Sequence, residues 1–198
     1  MKCNIKRNYI PSDYEIIRNI KKTCEKRGYS EDVGMLLANL FVYMMQKNVC
    51  GCCHAFSSVL YVAFSELGYT PSLFIGECQK DGLKPFDHSW ITIDNKIIDI
   101  AIYYSLTEEI NLISGPVIFD RDVVSGKAVS THYGINTGLP MSPSTLTVIN
   151  TPFVTYMDKS LFEKDGLWGV LKKVYPKGII IDENLKKKYS NVQRTFVR

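Results

Sequence analysis

The sequence lacks the features that mark membrane, secreted or nucleic-acid-binding proteins. Its N-terminal segment has no apolar core behind the first charges, so we expect no secretion signal. Its apolar runs, such as residues 35–45, are too short to cross a bilayer. The net charge is only +4, and no aromatic residues interleave with the lysine clusters. This weak basic balance predicts a solvated surface and no nucleic-acid partner.

Without a secretion signal, the expected compartment is the cytoplasm, where the six cysteines stay reduced. A cysteine cluster in such a protein indicates catalysis, metal binding or chance, and not a disulfide framework. The sequence has no internal repeat and no low-complexity block. Its 198 residues, 45% of them hydrophobic, are enough for one folded domain with a full core.

Periodicity in the first third of the chain predicts three helices. The first helix starts at a capping box formed by Ser12 and Glu15, and it ends at Gly28. A second helix covers about residues 30–46 and is apolar nearly all round, which predicts a buried position. A third helix, residues 53–67, has one apolar stripe and is followed by a glycine.

The pattern then changes to the alternation typical of strands. Strands are predicted at residues 72–76, 88–93 and 96–101. Asp94 and Asn95 form a plausible two-residue turn between the last two strands, which predicts a hairpin. Helices followed by meandering strands indicate an α+β fold.

The second half of the chain is less regular. Short β-like pieces at residues 116–119 and 145–149 predict one or two extra strands, and residues 161–174 predict a last helix. We therefore expect a single domain over residues 1–198. Its parts are a helical part at 12–68, a sheet part at 70–155, and a C-terminal helix with a basic tail at 156–198.

The segment of residues 50–56, Cys-Gly-Cys-Cys-His-Ala-Phe, carries the strongest chemical signal. Cys53 starts the third predicted helix, where unpaired amides and the helix dipole favour a thiolate over a thiol. The backbone amide of Cys53 can also point toward a developing oxyanion. A free cysteine is commonly a small buried apolar residue. The assignment of Cys53 as a nucleophile therefore depends on its partners.

The predicted hairpin supplies those partners. If Ile93 pairs with Lys96 across the turn, Trp90 lies opposite Asp99, and His88 becomes a diagonal neighbour of Asp99 on the same face. A base and a carboxylate that orients it are the groups that a thiol nucleophile needs. Trp90 is expected to shield the bond between the base and the acid from water.

Other residues compete for these roles. Asp94 lies in the predicted turn, and Asp87 lies on the opposite face of its strand, so both are poorer candidates than Asp99. A carboxylate inside an apolar strand is costly without a partner, which favours Asp99. His132 is another possible base, although an exposed loop histidine is the simpler interpretation.

These residues resemble the transglutaminase-like cysteine enzymes over roughly residues 30–105. The family pattern is Gly-x-Cys before a helix, Leu-Gly before a strand, His-Ala-Trp on a strand and an Asp on the next. The matching positions are Gly51, Cys53, Leu67, Gly68, His88, Trp90 and Asp99, and Ser89 stands where the family has Ala. Residues 50–57 are also similar to the nucleophile segment of papain-like proteases, Cys-Gly-Ser-Cys-Trp-Ala-Phe-Ser. The short separation between Cys53 and His88 fits the transglutaminase-like order.

The resemblance implies a papain-like α+β core, with N-terminal helices packed on an antiparallel sheet. It also implies a thiol-dependent hydrolase of peptide or amide bonds, acting on peptides, proteins or small amides. Cys53 would form an acyl-enzyme, His88 would be the general base and acid, and Asp99 would orient it. Papain-like enzymes use a glutamine before the cysteine as a second oxyanion donor, and Gln46 is one residue too distant in this sequence. No metal or organic cofactor and no membrane partner are implied.

Two alternatives stay open. The first is an acyl- or amine-transferring enzyme of the transglutaminase or arylamine N-acetyltransferase type. Arylamine N-acetyltransferases share the Cys, His, Asp order, but their nucleophile segment, Gly-Gly-x-Cys-Phe-Glu, differs from this one. The second is a metal-binding module that uses Cys50, Cys52 or Cys53, and His54, with Cys78 as an optional further ligand. That cluster is too compact for the usual spacing of paired metal ligands.

Overall fold

The computed structural model describes residues 12–106, 114–159 and 162–197. Within these ranges, helices and a mixed but mainly antiparallel sheet form an α+β fold. The helices are α1 (Asp13–Lys26), α2 (Glu31–Lys47), α3 (Cys53–Glu66), α4 (Pro143–Asn150), α5 (Phe153–Asp158), α6 (Gly166–Val174) and α7 (Glu183–Lys188). The strands are β1 (Ser72–Lys80), β2 (Phe86–Ile93), β3 (Lys96–Asp99), β4 (Val117–Ile118), β5 (Arg121–Asp122), β6 (Thr131–Ile135) and β7 (Thr195–Val197).

The three predicted N-terminal helices are confirmed. Ser12 caps α1, and its side chain accepts a hydrogen bond from the backbone N–H of Glu15 at 3.3 Å. The buried side chains of α1, such as Ile16 and Ile20, belong to the same core as those of α2 and α3. Gly28, which follows α1, has a φ of +77°, a conformation that glycine adopts at little cost. Across the described ranges, none of the helices combines the length and the apolarity needed to span a bilayer.

The strand order of the described sheet is β5-β4-β3-β2-β1-β6, and β7 pairs with β1 beside β6. All pairs are antiparallel except β1 with β7. The register of the predicted hairpin is confirmed, because Ile93 pairs with Lys96 across the turn. Asp94 and Asn95 have φ values of 51° and 59°, as a turn with two left-handed residues requires. Helix α3 packs against β2 and β1 and thereby places its N-terminus near β2.

The strand predicted at residues 145–149 is wrong, because these residues lie in α4. Ser142 is the N-cap of α4, and its hydroxyl accepts a hydrogen bond from the N–H of Thr145 at 3.3 Å. Pro143 follows at the first helical position, where its missing N–H costs nothing. These start signals outweigh the β-branched composition of the segment. The other β-like piece does contain a strand, β4.

The C-terminal part is more structured than the predicted helix and basic tail. The helix expected from Leu161 begins at Gly166 in the structure, and Leu161 itself lies outside the described residues. The expected tail contains α7, whose N-cap Asp182 accepts a hydrogen bond from the N–H of Leu185 at 2.8 Å. It also contains β7, which pairs in parallel with β1. No local sequence pattern indicates a parallel pairing between two strands that lie so far apart along the chain.

Candidate active site

Cys53 is the first residue of α3 and is 8% exposed. The chain reaches it through Gly51, which has a φ of +68° and donates a backbone hydrogen bond to the carbonyl of Tyr104 at 2.8 Å. A Cβ atom at Gly51 would lie 2.6 Å from the side chain of Leu106, so only glycine fits this approach. The first-turn amides of α3 have no acceptor within the helix, so N–H groups are available at the helix start where Cys53 lies.

His88 and Asp99, which the hairpin register predicted to be neighbours, are in contact. The Nε2–H of His88 donates a hydrogen bond to Oδ2 of Asp99 at 2.7 Å, and both side chains are buried. Cys53 lies close enough to His88 for the charges of the two side chains to interact, and Nδ1 is the ring nitrogen of His88 that Asp99 leaves available. The three side chains therefore lie in the order thiol, imidazole, carboxylate.

The carboxylate of Asp99 has two further donors. Its Oδ1 accepts the backbone N–H of Ile102 at 3.1 Å, and its Oδ2 accepts the hydroxyl of Tyr133 at 2.8 Å. Burial and the charge of Asp99 raise the pKa of Tyr133 well above its ordinary value, so Tyr133 stays a donor. Sequence reasoning missed Tyr133, because β6 reaches the site only by pairing with β1.

The ionisation of Cys53 and His88 is coupled. Burial opposes ionisation of the Cys53 thiol, but the charges of His54 and His88 outweigh it. The pKa of Cys53 therefore lies well below its ordinary value. Burial alone would lower the pKa of His88, but the charges of Asp99 and Cys53 raise it to about 10. These directions describe a thiolate beside an imidazolium at neutral pH.

His54 is a second residue that sequence reasoning missed, since it was considered only as a metal ligand. Its Nδ1 forms a hydrogen bond with the hydroxyl of Ser89 at 2.7 Å, and its Nε2 lies 3.4 Å from the hydroxyl of Thr145. Consecutive residues of α3, Cys53 and His54, thus face consecutive residues of β2, His88 and Ser89. The signal in the sequence that could have pointed to His54 was its position directly after Cys53.

These side chains open into a cleft of about 370 Å³. Its lining residues are Gly51, Cys53, His54, Phe86, Asp87, His88, Ala101, Ser105, Leu106, Ser142, Ser144 and Thr145. The start of α4 forms one wall, and Asp87 fixes that wall to β2 because its Oδ2 accepts the backbone N–H of Ser142 at 2.6 Å. Asp94, the other competing acid, instead accepts a hydrogen bond from Tyr29 at 3.0 Å in the hairpin turn.

The remaining sequence-predicted residues lie in different surroundings. Trp90 is buried, with its ring stacked on Phe74 at 5.5 Å and its edge against Tyr133 at 5.1 Å between ring centroids. Gln46 is exposed on the last turn of α2 and is not one of the described residues that line the cleft. His132 is exposed and pairs with Asp81 at 2.9 Å, away from the cleft lining.

The metal-binding alternative receives no support from this arrangement. Among residues 12–106, 114–159 and 162–197, no group of three or more His, Cys, Asp or Glu side chains is placed to hold a metal ion. Burial, with the nearby charge of Asp99, also raises the pKa of Cys78 well above its ordinary value, which makes this thiol a poor ligand.

No family model, no curated protein and no solved structure matches the chain. The functional assignment therefore rests on the cleft itself.

Proposed function

We propose that this protein is a thiol-dependent hydrolase of peptide or amide bonds, built on a papain-like, transglutaminase-like core. The supporting observation is the buried hydrogen bond between His88 and Asp99 beside Cys53, which lies at a helix N-terminus in the wall of a cleft. A nucleophile, a base and an orienting acid in hydrogen-bonding order are the recurring arrangement of acyl-transfer enzymes.

In the first step, the thiolate of Cys53 attacks the carbonyl carbon of the substrate, and the carbonyl oxygen becomes an oxyanion. The backbone N–H of Cys53, at the positive end of α3, is a suitable donor to that oxyanion. The imidazolium of His88 then gives its Nδ1 proton to the leaving amine as the C–N bond breaks. The products of this step are a free amine, a thioester on Cys53 and a neutral His88.

In the second step, the neutral His88 takes a proton from water as the water oxygen attacks the thioester carbon. The second tetrahedral intermediate collapses, the C–S bond breaks, and a carboxylic acid leaves. Its proton is lost to solvent, and the thiolate of Cys53 and the imidazolium of His88 are restored. An amine that replaced water in this step would give transfer in place of hydrolysis, through the same thioester.

Asp99 keeps the imidazole of His88 in the orientation that this cycle needs. Its Oδ2 holds Nε2–H of His88, so Nδ1 stays directed at the sulfur of Cys53. The N–H of Ile102 and the hydroxyl of Tyr133 occupy the other acceptor positions of the carboxylate. This network prevents Asp99 from rotating away from His88.

The wall at the start of α4 limits which substrates fit. Hydroxyl groups of Ser142, Ser144 and Thr145 line it, so the cleft offers hydrogen bonds as well as apolar contacts. A peptide, a protein segment or a small amide with polar groups next to the scissile bond matches such a lining. A reducing compartment such as the cytoplasm suits a thiolate nucleophile, and Cys24, Cys53 and Cys78 are thiols, not disulfides.

The proposal is tested by trapping the acyl-enzyme. The protein is mixed with a panel of p-nitrophenyl esters, thioesters and peptide amides, and its intact mass is followed over time. We expect a transient mass increase equal to the acyl group, located on Cys53 by peptide mapping. Cys53→Ala abolishes it, whereas Cys78→Ala, a matched change of another buried cysteine, retains it. An acyl group that forms equally well in Cys53→Ala contradicts the proposal.

A further inference from the structure

The sulfur of Cys53 has imidazole rings of two histidines beside it. His88 reaches it from β2, and His54 follows it directly in α3. Both histidines line the same cleft as Cys53. The reaction cycle proposed above uses only His88. His54 is therefore a histidine beside the reacting residue that has no role in that cycle.

The ring of His54 is held from two sides. The hydroxyl of Ser89 lies 2.7 Å from Nδ1, and the hydroxyl of Thr145 lies 3.4 Å from Nε2. Ser89 and Thr145 are each only 1% exposed, so these contacts are inside the protein. Thr145 in turn accepts a hydrogen bond from the hydroxyl of Ser142 at 2.9 Å, which joins the ring to the cap of α4. Immobilised rings of this kind are typical of preorganised sites.

We propose that His54 is a second histidine that stabilises the Cys53 thiolate, and that Ser89 and Thr145 hold its ring in place for this role. The inference rests on the proposed function, since it concerns the same nucleophile. The shift of the Cys53 pKa, to which both histidines contribute, agrees with it.

The two histidines have different roles in the proposed reaction. His88 has to give its proton to the leaving amine and is neutral until it takes another proton from water. His54 transfers no proton in that cycle and keeps its interaction with the sulfur throughout. It therefore favours departure of the sulfur as thiolate when the thioester is cleaved. It also makes the thiolate less dependent on the protonation of His88.

The test is the pH profile of Cys53 alkylation by iodoacetamide, measured by peptide mapping. It needs no substrate. A nearby positive partner shifts a pKa by about 1–3 units, so His54→Gln is expected to move the midpoint of the alkylation profile to higher pH by about 1–3 units. At about pH 10 the rate stays near that of the wild type, because the thiolate is then formed in both proteins. Loss of a purely structural residue would lower the rate at every pH.

Two further variants complete the design. Ser89→Ala leaves the imidazole in place but removes its closest tether, and we expect a smaller shift in the same direction. His132→Gln removes an exposed histidine outside the cleft lining and is expected to change nothing. If His54→Gln does not fold, the test is the alkylation profile of Ser89→Ala. An unchanged profile in Ser89→Ala then refutes the role of His54.

The outcomes separate the two hypotheses. If wild-type Cys53 has the profile of an ordinary thiol, the proposed function is wrong. If wild-type Cys53 reacts as a thiolate near pH 6 and His54→Gln has the same profile, only the inference on His54 is wrong. A shifted profile in His54→Gln, with thermal melting near the wild-type value, supports the inference.

Discussion

Replacing Asp99 by asparagine removes a negative charge from the buried partner of His88 while keeping the size of the side chain. The carboxylate has three donors, namely Nε2–H of His88, the hydroxyl of Tyr133 and the N–H of Ile102. An asparagine has one oxygen and one NH2 group, so at least one of these donors has to face another donor. We therefore expect both the charge and the orientation of His88 to change.

The magnitude follows from the geometry of the pair. Nε2 of His88 lies 2.7 Å from Oδ2 of Asp99, with both side chains almost fully buried. A charge at this distance shifts a pKa by about 1–3 units, so the pKa of His88 falls from about 10 to about 7–9 in Asp99→Asn. Catalysis needs thiolate together with imidazolium. It is lost as pH falls through the lowered pKa of Cys53 and as pH rises through the raised pKa of His88.

The alkaline limb of the activity profile therefore moves to lower pH by about 1–3 units in Asp99→Asn. At neutral pH about half or more of His88 stays protonated, so the changed orientation of the imidazole is expected to cause most of a loss in turnover of about 10- to 100-fold. This is less than the ~10⁴-fold loss of serine triads, because the sulfur is already ionised. The assay is kcat/KM for a peptide amide, whose amine leaves only when it is protonated, between about pH 5 and pH 11.

The matched controls are Asp87→Asn and Asp94→Asn, which make the same change at the two competing acids. Asp87 is bonded to the N–H of Ser142, and Asp94 is bonded to Tyr29, so neither change is expected to move the alkaline limb. An unmoved limb in Asp99→Asn, or a moved limb in Asp94→Asn, would refute the assignment of Asp99.

Three further predictions concern the surroundings of this pair. Trp90→Ala removes the ring that packs on Phe74 and Tyr133. We expect the free energy of unfolding, measured with urea, to fall by about 3 kcal/mol and turnover to fall with it. A change in substrate preference alone would contradict the shielding role of Trp90. Tyr133→Phe removes one donor to Asp99 and is expected to cost about 1 kcal/mol in the same urea experiment, with turnover within about threefold of the wild type. Gln46→Ala is expected to leave turnover within about twofold, whereas removal of a true oxyanion donor lowers kcat by about 10²- to 10³-fold.

The contact between His88 and Asp99 was predictable because it depends on local features. A two-residue turn at Asp94 and Asn95 sets the hairpin register, and the register decides which side chains are diagonal neighbours. The start of α3 at Cys53 was equally visible, since Gly51 precedes it and an apolar helical stripe follows. These signals all lie within one element or between two consecutive elements.

The rest of the site depends on distant pairings. Tyr133 reaches Asp99 because β6 pairs with β1, and Thr145 reaches His54 because α4 lies against the cleft. Neither placement has a local signal, and the β-branched residues of α4 even favoured a strand. The pairing of β7 with β1 is of the same kind. Sequence patterns therefore predicted the helix start at Cys53 and the contact between His88 and Asp99, but not the residues that surround them.

The most direct test of the central hypothesis asks which cysteine is ionised. The intact protein is labelled with limiting iodoacetamide at about pH 6, where ordinary thiols are almost fully protonated, and each cysteine is quantified by peptide mapping. We predict that Cys53 takes most of the label and that Cys53→Ala loses it. Preferential labelling of Cys52, persisting in a Cys53→Ala variant that still cleaves its substrate, would contradict the account.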